Sequence, residues 1–108
     1  MEEKLSYRNT VRLFAGEKCF GPGVAELLRR VRELHSLRAA AMSMNMAYSK
    51  AWNVLRLNES EFGIKFINRN GAHGSELTPE GRAFLEHYQE MELAAERAAQ
   101  QVFDKYFR

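Results

Sequence analysis

Behind Thr78 the chain reads as a helix start, and after Gly81 no glycine or proline interrupts it again. Thr78 suits the N-cap, Pro79 the first helical position and Glu80 the positive end of the helix dipole. The pattern predicts one helix from about 79 to 107. Such a helix is on the order of 43 Å long at 1.5 Å per residue. In a chain of 108 residues, the rest of the molecule is too small to cover it. Its apolar residues form two stripes. Phe84, Tyr88, Met91, Ala95, Ala98, Val102 and Tyr106 step mostly by four and three, and Leu85, Ala99, Phe103 and Phe107 make the second. One stripe can pack on the parent domain. The other, and the whole C-terminal half, needs a partner.

The remaining residues must then make one small core. At 108 residues, 45% hydrophobic and 28% charged, the chain fits a single domain over 1–108 with a core that needs no staples. The lone Cys19 excludes a disulfide framework. With three scattered histidines, it makes neither a metal site nor a thiol–base pair. No apolar run approaches the ~20 residues of a membrane span, and MEEKLSYR at the start does not read as a signal peptide. The expectation is a cytoplasmic domain that contacts no membrane.

Residues 6–14 alternate weakly, with Tyr7, Val11, Leu13 and Phe14 suiting a strand. Gly16, Gly21 and Gly23 then mark a turn. They match neither GxxxxGK[ST] nor GxGxxG, so no phosphate loop is expected there. A first helix follows from Pro22 to about His35, with Val24, Leu27, Leu28, Val31 and Leu34 on its inner face. Ser36 caps a short second helix whose Leu37, Ala40, Ala41 and Met44 face inward. After a tight turn at Asn45 and Met46, a third helix spans about 48–62. Ala51, Leu55, Asn58 and Phe62 share its inner face, Trp52 reads as core beside them, and Gly63 ends it. The Met42, Met44 and Met46 cluster reads as packing. IKFINRN and SELT, on either side of a glycine-flanked tip, read as a hairpin over about 64–78.

The net charge of +2 hides an asymmetry. Residues 1–58 hold ten Lys+Arg against five Asp+Glu, and residues 59–108 hold six against nine. Between Glu33 and Glu59 lie 25 positions without an acid, carrying His35, Arg38, Lys50 and Arg56. A surface facing a polyphosphate needs that depletion, because each carboxylate there would repel the ligand. Taken singly, Lys50 and Arg56 read as solvated charges.

A short helix and a longer one joined by a sharp turn make a helix-turn-helix, and a hairpin directly behind them is a wing. The expected fold is therefore mainly α (α+β): a winged helix-turn-helix with a long C-terminal dimerisation helix. The third helix is then the recognition helix for the major groove of double-stranded DNA. It offers Tyr48, Ser49, Lys50, Asn53 and Arg56 at or near its N-terminal end. Ser36 and Arg38 suit a backbone phosphate. In the wing, Arg69, Asn70 and His73 can meet a backbone or a minor groove. The dimer contact falls to Leu85, Tyr88, Met91, Ala95, Ala99, Val102, Phe103 and Tyr106. The acidic Glu86, Glu90, Glu92 and Glu96 keep the last helix away from DNA. Ser49, Ser60 and Ser75 lack a His and Asp arrangement, so no enzyme is expected. The alternative is a winged helix used as a protein-interaction module without direct DNA binding.

FGPGVAELLRRV, SLRAAAMSMNMAYSKAWNVL and SELTPEGRAFLEHY together resemble the N-terminal DNA-binding domain of the molybdate-responsive ModE family, itself similar to the LysR-type winged helix. The likeness covers roughly residues 7–107. Its most specific piece is Met46 to Trp52; Leu77 to Gly81 is shared widely with LysR-type regulators. The resemblance implies a homodimeric transcription regulator on a palindromic operator, joined by the last helix with help from the N-terminal strand. Ser49, Lys50 and Asn53 would lie at the DNA. Members of that family often have a longer, Gly/Lys-rich wing tip. They also carry a C-terminal oxyanion-binding module, and this sequence stops at Arg108. The expectation is a stand-alone domain with no cofactor, served if at all by a separate sensor protein.

Overall fold

A computed structural model of the chain describes residues 4–69 and 74–108. The elements run β1 (Leu13–Ala15), β2 (Lys18–Phe20), α1 (Pro22–Leu34), α2 (Leu37–Ser43), α3 (Tyr48–Phe62), β3 (Ile67–Arg69), β4 (Ser75–Leu77) and α4 (Pro79–Tyr106). This is a winged helix-turn-helix: three helices on one core, a two-stranded wing and a long terminal helix.

The N-terminal region differs from the strand expected over residues 6–14. Only Leu13–Ala15 is paired, and its partner is β2, which the sequence pattern does not announce. The two strands are antiparallel with Leu13 opposite Phe20 and Phe14 opposite Cys19. Gly16 makes the turn at φ +64°, a conformation L side chains rarely adopt. The pairing swings Phe20 into the core with no exposed surface, while Phe14 stays 66% exposed.

The helices follow their periodicity. Pro22 starts α1 and His35 closes it in the left-handed conformation at φ 56°. Ala25, Leu27, Leu28 and Val31 are buried, but Leu34, expected on the inner face, is largely exposed. Ser36 caps α2 as its sequence position suggests, its Oγ accepting from the Ala39 N–H at 3.0 Å. Ala40 and Ala41 are fully buried, which lets α2 lie close against α1. Arg30 ties the two helices further, donating from Nη1 to the Ser43 carbonyl at 2.8 Å and to Ser43 Oγ at 2.9 Å. The turn into α3 places Asn45 at φ 55°, which an asparagine tolerates better than most residues.

α4 begins on Thr78, whose Oγ1 accepts from the Gly81 N–H at 2.8 Å. The Thr78 N–H donates to the Phe66 carbonyl at 2.9 Å, and its hydroxyl donates to the Lys65 carbonyl. The base of the wing and the start of α4 are thus one joint. Leu85 and Tyr88 pack in the core with Phe20 and Phe66. The Tyr88 hydroxyl donates to the Val11 carbonyl at 2.7 Å, and burial, with Glu92 nearby, pushes it up to about 12. Beyond Tyr88 the helix leaves the core. The radius of gyration is 16.5 Å, against about 13 Å for a compact chain of this length. The largest extent is 53 Å. No helix among the described residues is long and apolar enough to cross a membrane.

Candidate nucleic-acid interface

The buried side of α3 is Ala51, Leu55 and Asn58. At 3.6 residues per turn the opposite side is Ser49, Lys50, Asn53, Arg56 and Leu57, all exposed. None of the first four makes a side-chain hydrogen bond or ion pair to a described residue. Three donor-bearing side chains, Lys50, Asn53 and Arg56, thus stand in a row on the solvent side of the helix, with Ser49 beside them.

The acid that ends the depleted stretch is turned away from this face. Glu59 is half-buried, and its Oε2 accepts from the Phe66 N–H at 2.7 Å and from the Ile67 N–H at 3.4 Å. It satisfies the first backbone donors of the wing and holds β3 against the end of α3. The sequence marks the turn through Gly63 but gives no sign of this contact, which joins residues seven positions apart.

The wing pairs Ile67 with Leu77, Asn68 with Glu76 and Arg69 with Ser75. At its base the Ser75 N–H donates to the His35 carbonyl at 2.9 Å, which fixes β4 to the α1–α2 junction. The two strands therefore rest on opposite supports: β3 on Glu59, β4 on His35. Asn70 and His73, expected at the wing tip, lie outside the described residues.

Arg38, Tyr48, Trp52 and Arg69 are brought together from α2, α3 and β3. The Arg38 guanidinium lies 4.2 Å from the Tyr48 ring centroid, and that of Arg69 lies 4.6 Å from Trp52 and 5.9 Å from Tyr48. Trp52, expected in the core, is only half-buried and serves as a platform for the wing arginine. Tyr48, expected to face a ligand directly, is likewise half-buried and covered by arginine. Ser36 borders the same cleft, which measures about 270 Å³.

On α4 the residues expected at a dimer contact divide. Leu85 and Tyr88, 0% and 1% exposed, are spent in the chain's own core and leave no surface for a partner. The first turns of both α4 stripes face inward, which periodicity alone could not decide. Met91, Val102 and Tyr106 are exposed, and Ala95, Ala99 and Phe103 half-buried. Part of Phe103's cover is internal. The Tyr7 ring meets it at 5.0 Å between centroids, and the Tyr7 hydroxyl donates to Glu96 and, at 3.0 Å, to Gln100. The N-terminal segment thus touches the overhanging part of α4 in the same chain. Among the described residues, no group of three or more His, Cys, Asp or Glu could hold a metal ion.

Known proteins agree with this architecture. In a crystal structure of a CbnR_DBD–DNA complex, one chain superposes with a TM-score of 0.62 at 23% identity, over 77% of this chain and 94% of that one. A crystal structure of CbnR, a LysR family transcriptional regulator, gives 0.59 at 24% identity over 74% of this chain, which spans 27% of that longer one. At these identities the likeness is one of fold. No curated protein matches the sequence. Residues 24–82, more than half of the chain, match the model of the bacterial regulatory helix-turn-helix proteins of the lysR family, a stretch that runs from the third residue of α1 through β4 to the first turn of α4. The chain belongs to that family.

Proposed function

We propose that this chain is a sequence-specific regulator of transcription that binds double-stranded DNA as a homodimer and reads the major groove with α3. The observation that carries the reading is the exposed row of Lys50, Asn53 and Arg56 beside Ser49, unpaired among the described residues, in a stretch free of acids. A helix fits the major groove. There asparagine pairs with adenine in bidentate fashion, and lysine or arginine with guanine. The family and the DNA complex of a protein with the same fold support the same reading.

Duplexes recovered from a random pool by the wild-type protein supply the test. Lys50→Ala and Asn53→Ala are each expected to cost about 1–3 kcal/mol on such a duplex and to relax its sequence preference. Wild-type affinity should fall steeply with salt, because phosphate contacts release counterions. Fluorescence anisotropy at two salt concentrations measures both. Equal affinity of both variants and the wild type would remove α3 as the reading element.

The homodimer reading rests on α4, which carries Met91, Val102 and Tyr106 exposed along its overhang, with Phe107 exposed at its C-cap. Two copies joined there would present two α3 helices to half-sites roughly 34 Å apart. Sedimentation should give a dimer at micromolar protein, and Val102→Asp together with Tyr106→Asp should shift it to monomer. A wild-type monomer at that concentration would count against the α4 contact. Within the family, the Met46 to Trp52 run supports a ModE-type reading head. On this reading the head needs no cofactor of its own.

A further inference from the structure

We infer that Arg38 and Arg69 together clamp one DNA backbone phosphate in the cleft between α2, α3 and the wing, with Tyr48 and Trp52 as their stacking platforms. This rests on the DNA reading above and assigns these four residues a joint role distinct from base recognition.

Both guanidiniums lie within 6 Å of the Tyr48 centroid, at 4.2 and 5.9 Å. Two cations gathered at one ring repel each other, and neither has a carboxylate partner among the described residues. The surrounding sequence supplies none: residues 34–58 and 62–75 contain no acid. An arrangement of two unneutralised guanidiniums favours an anion from outside. Stacking also decides how they would hold it. An arginine lying on an aromatic ring spends its π face and keeps its in-plane N–H donors, the fork that fits a phosphate edge. Ser36 adds to the donors. Its Oγ accepts from the Ala39 N–H and keeps its own hydrogen to give.

The shape narrows the ligand to a polymer. The cleft holds about 270 Å³ and opens to solvent, and Arg38 and Arg69 are themselves exposed. A phosphodiester can run through it with its sugars on either side. The clamp also joins two readings of the duplex. Arg69 belongs to the wing and Tyr48 and Trp52 to α3, so a phosphate seated on both arginines ties the depth of α3 to the position of the wing.

The test uses the full chain, a duplex recovered from a random pool, and copies of that duplex with a neutral methylphosphonate at one phosphate at a time. For the wild type, neutralising one phosphate per half-site is expected to weaken binding about tenfold, the effect of losing a charge-assisted contact. In the Arg38→Ala/Arg69→Ala double variant, that same substitution should have no effect. The slope of log K against log salt should be shallower by about 1–2. Melting temperature should stay unchanged, since both side chains are exposed. Arg38→Lys/Arg69→Lys supplies a second probe: it should keep the salt slope yet lose the selective penalty at that phosphate, because lysine has no fork to stack. Trp52 is the single tryptophan, so duplex binding should change its emission in the wild type and much less in Arg69→Lys. The clamp is overturned if the methylphosphonate penalty persists undiminished in the alanine double variant. It is equally overturned if no phosphate shows a penalty while Lys50→Ala still weakens duplex binding. Absence of any duplex binding by the wild type would overturn the DNA reading itself, and the clamp with it.

Discussion

Gly81→Ala is expected to destabilise the protein by about 3 kcal/mol or more, although alanine is the better helix former by about 1 kcal/mol. The residue sits in the first turn of α4 and is buried. A Cβ there would lie 2.8 Å from Phe66 Cα and 2.9 Å from Phe66 C, with the Phe66 carbonyl oxygen closer still. All three are backbone atoms of the segment entering β3, so no side chain can swing aside. The same Phe66 carbonyl accepts from the Thr78 N–H, and Thr78 caps the helix through the Gly81 N–H. Moving one partner disturbs the others. The melting temperature should drop by on the order of 15 °C, at roughly 4–8 °C per kcal/mol for a domain of this size. Protomer concentration should be held fixed, because a dimer's stability depends on it. Glu86→Ala, on the exposed side of the same helix, should stay within about 0.5 kcal/mol of wild type. A Gly81→Ala protein melting at or above the wild-type temperature would show that β3 and α4 can separate without cost.

Phe20→Ala is expected to cost about 3–5 kcal/mol, the range for truncating a fully buried phenylalanine. Its ring is the hub of the aromatic core. Centroids of Phe84, Tyr88, Phe66 and Phe62 lie 4.8, 5.1, 5.7 and 6.5 Å away, most of them edge-on. The edge-on geometry sets the positive rim of one ring against the negative face of another, which adds to the burial energy. That loss is a large share of the roughly 5–15 kcal/mol total of a small domain. Phe14→Ala, in the same hairpin but 66% exposed, should change stability by less than about 0.5 kcal/mol. Denaturant titrations of both variants measure the contrast. Equal effects of the two would mean that the β1–β2 hairpin does not dock as described.

These two positions mark the limit of what can be read from the chain alone. Gly81 looks like part of a helix start, and nothing near it in sequence announces that Phe66 lies against it. Phe20 sits in AGEKCFGPG, which reads as a turn before α1. Strands of three residues carry too little alternation to be recognised without their partner. The helices were legible for the opposite reason. A 3.6-residue period, Ser36 and Thr78 as caps, and Pro22 and Gly63 as boundaries are local signals; α1, α2 and α4 start, and α3 ends, where they indicate.

Of the candidate site, the exposed row on α3 was legible, because residues opposite an apolar stripe must face outward. The role of Trp52 was not. A tryptophan beside an inner face is expected inside, and only the arrival of Arg69 from β3 makes it a platform. Glu59 shows the same limit: its charge closes the acid-free stretch in the sequence, while its carboxylate is engaged by the wing backbone. On α4 the pattern displayed two apolar stripes without saying which one the domain takes. The domain takes the N-terminal turns of both: Leu85 from one and Tyr88 from the other are buried, while Met91, Val102 and Tyr106 farther along stay outside.

By itself, then, the sequence determined the order of the four helices and the wing, the length of the last helix and the acid-poor surface ahead of Glu59. Each follows from neighbours within a few turns of one another. The tertiary structure alone decided which side chains meet across elements: Phe20 with Phe84, Gly81 with Phe66, Arg38 and Arg69 over Tyr48. Those contacts join residues 10 to 64 positions apart. Their geometry is set by how the whole core closes, which no local period records.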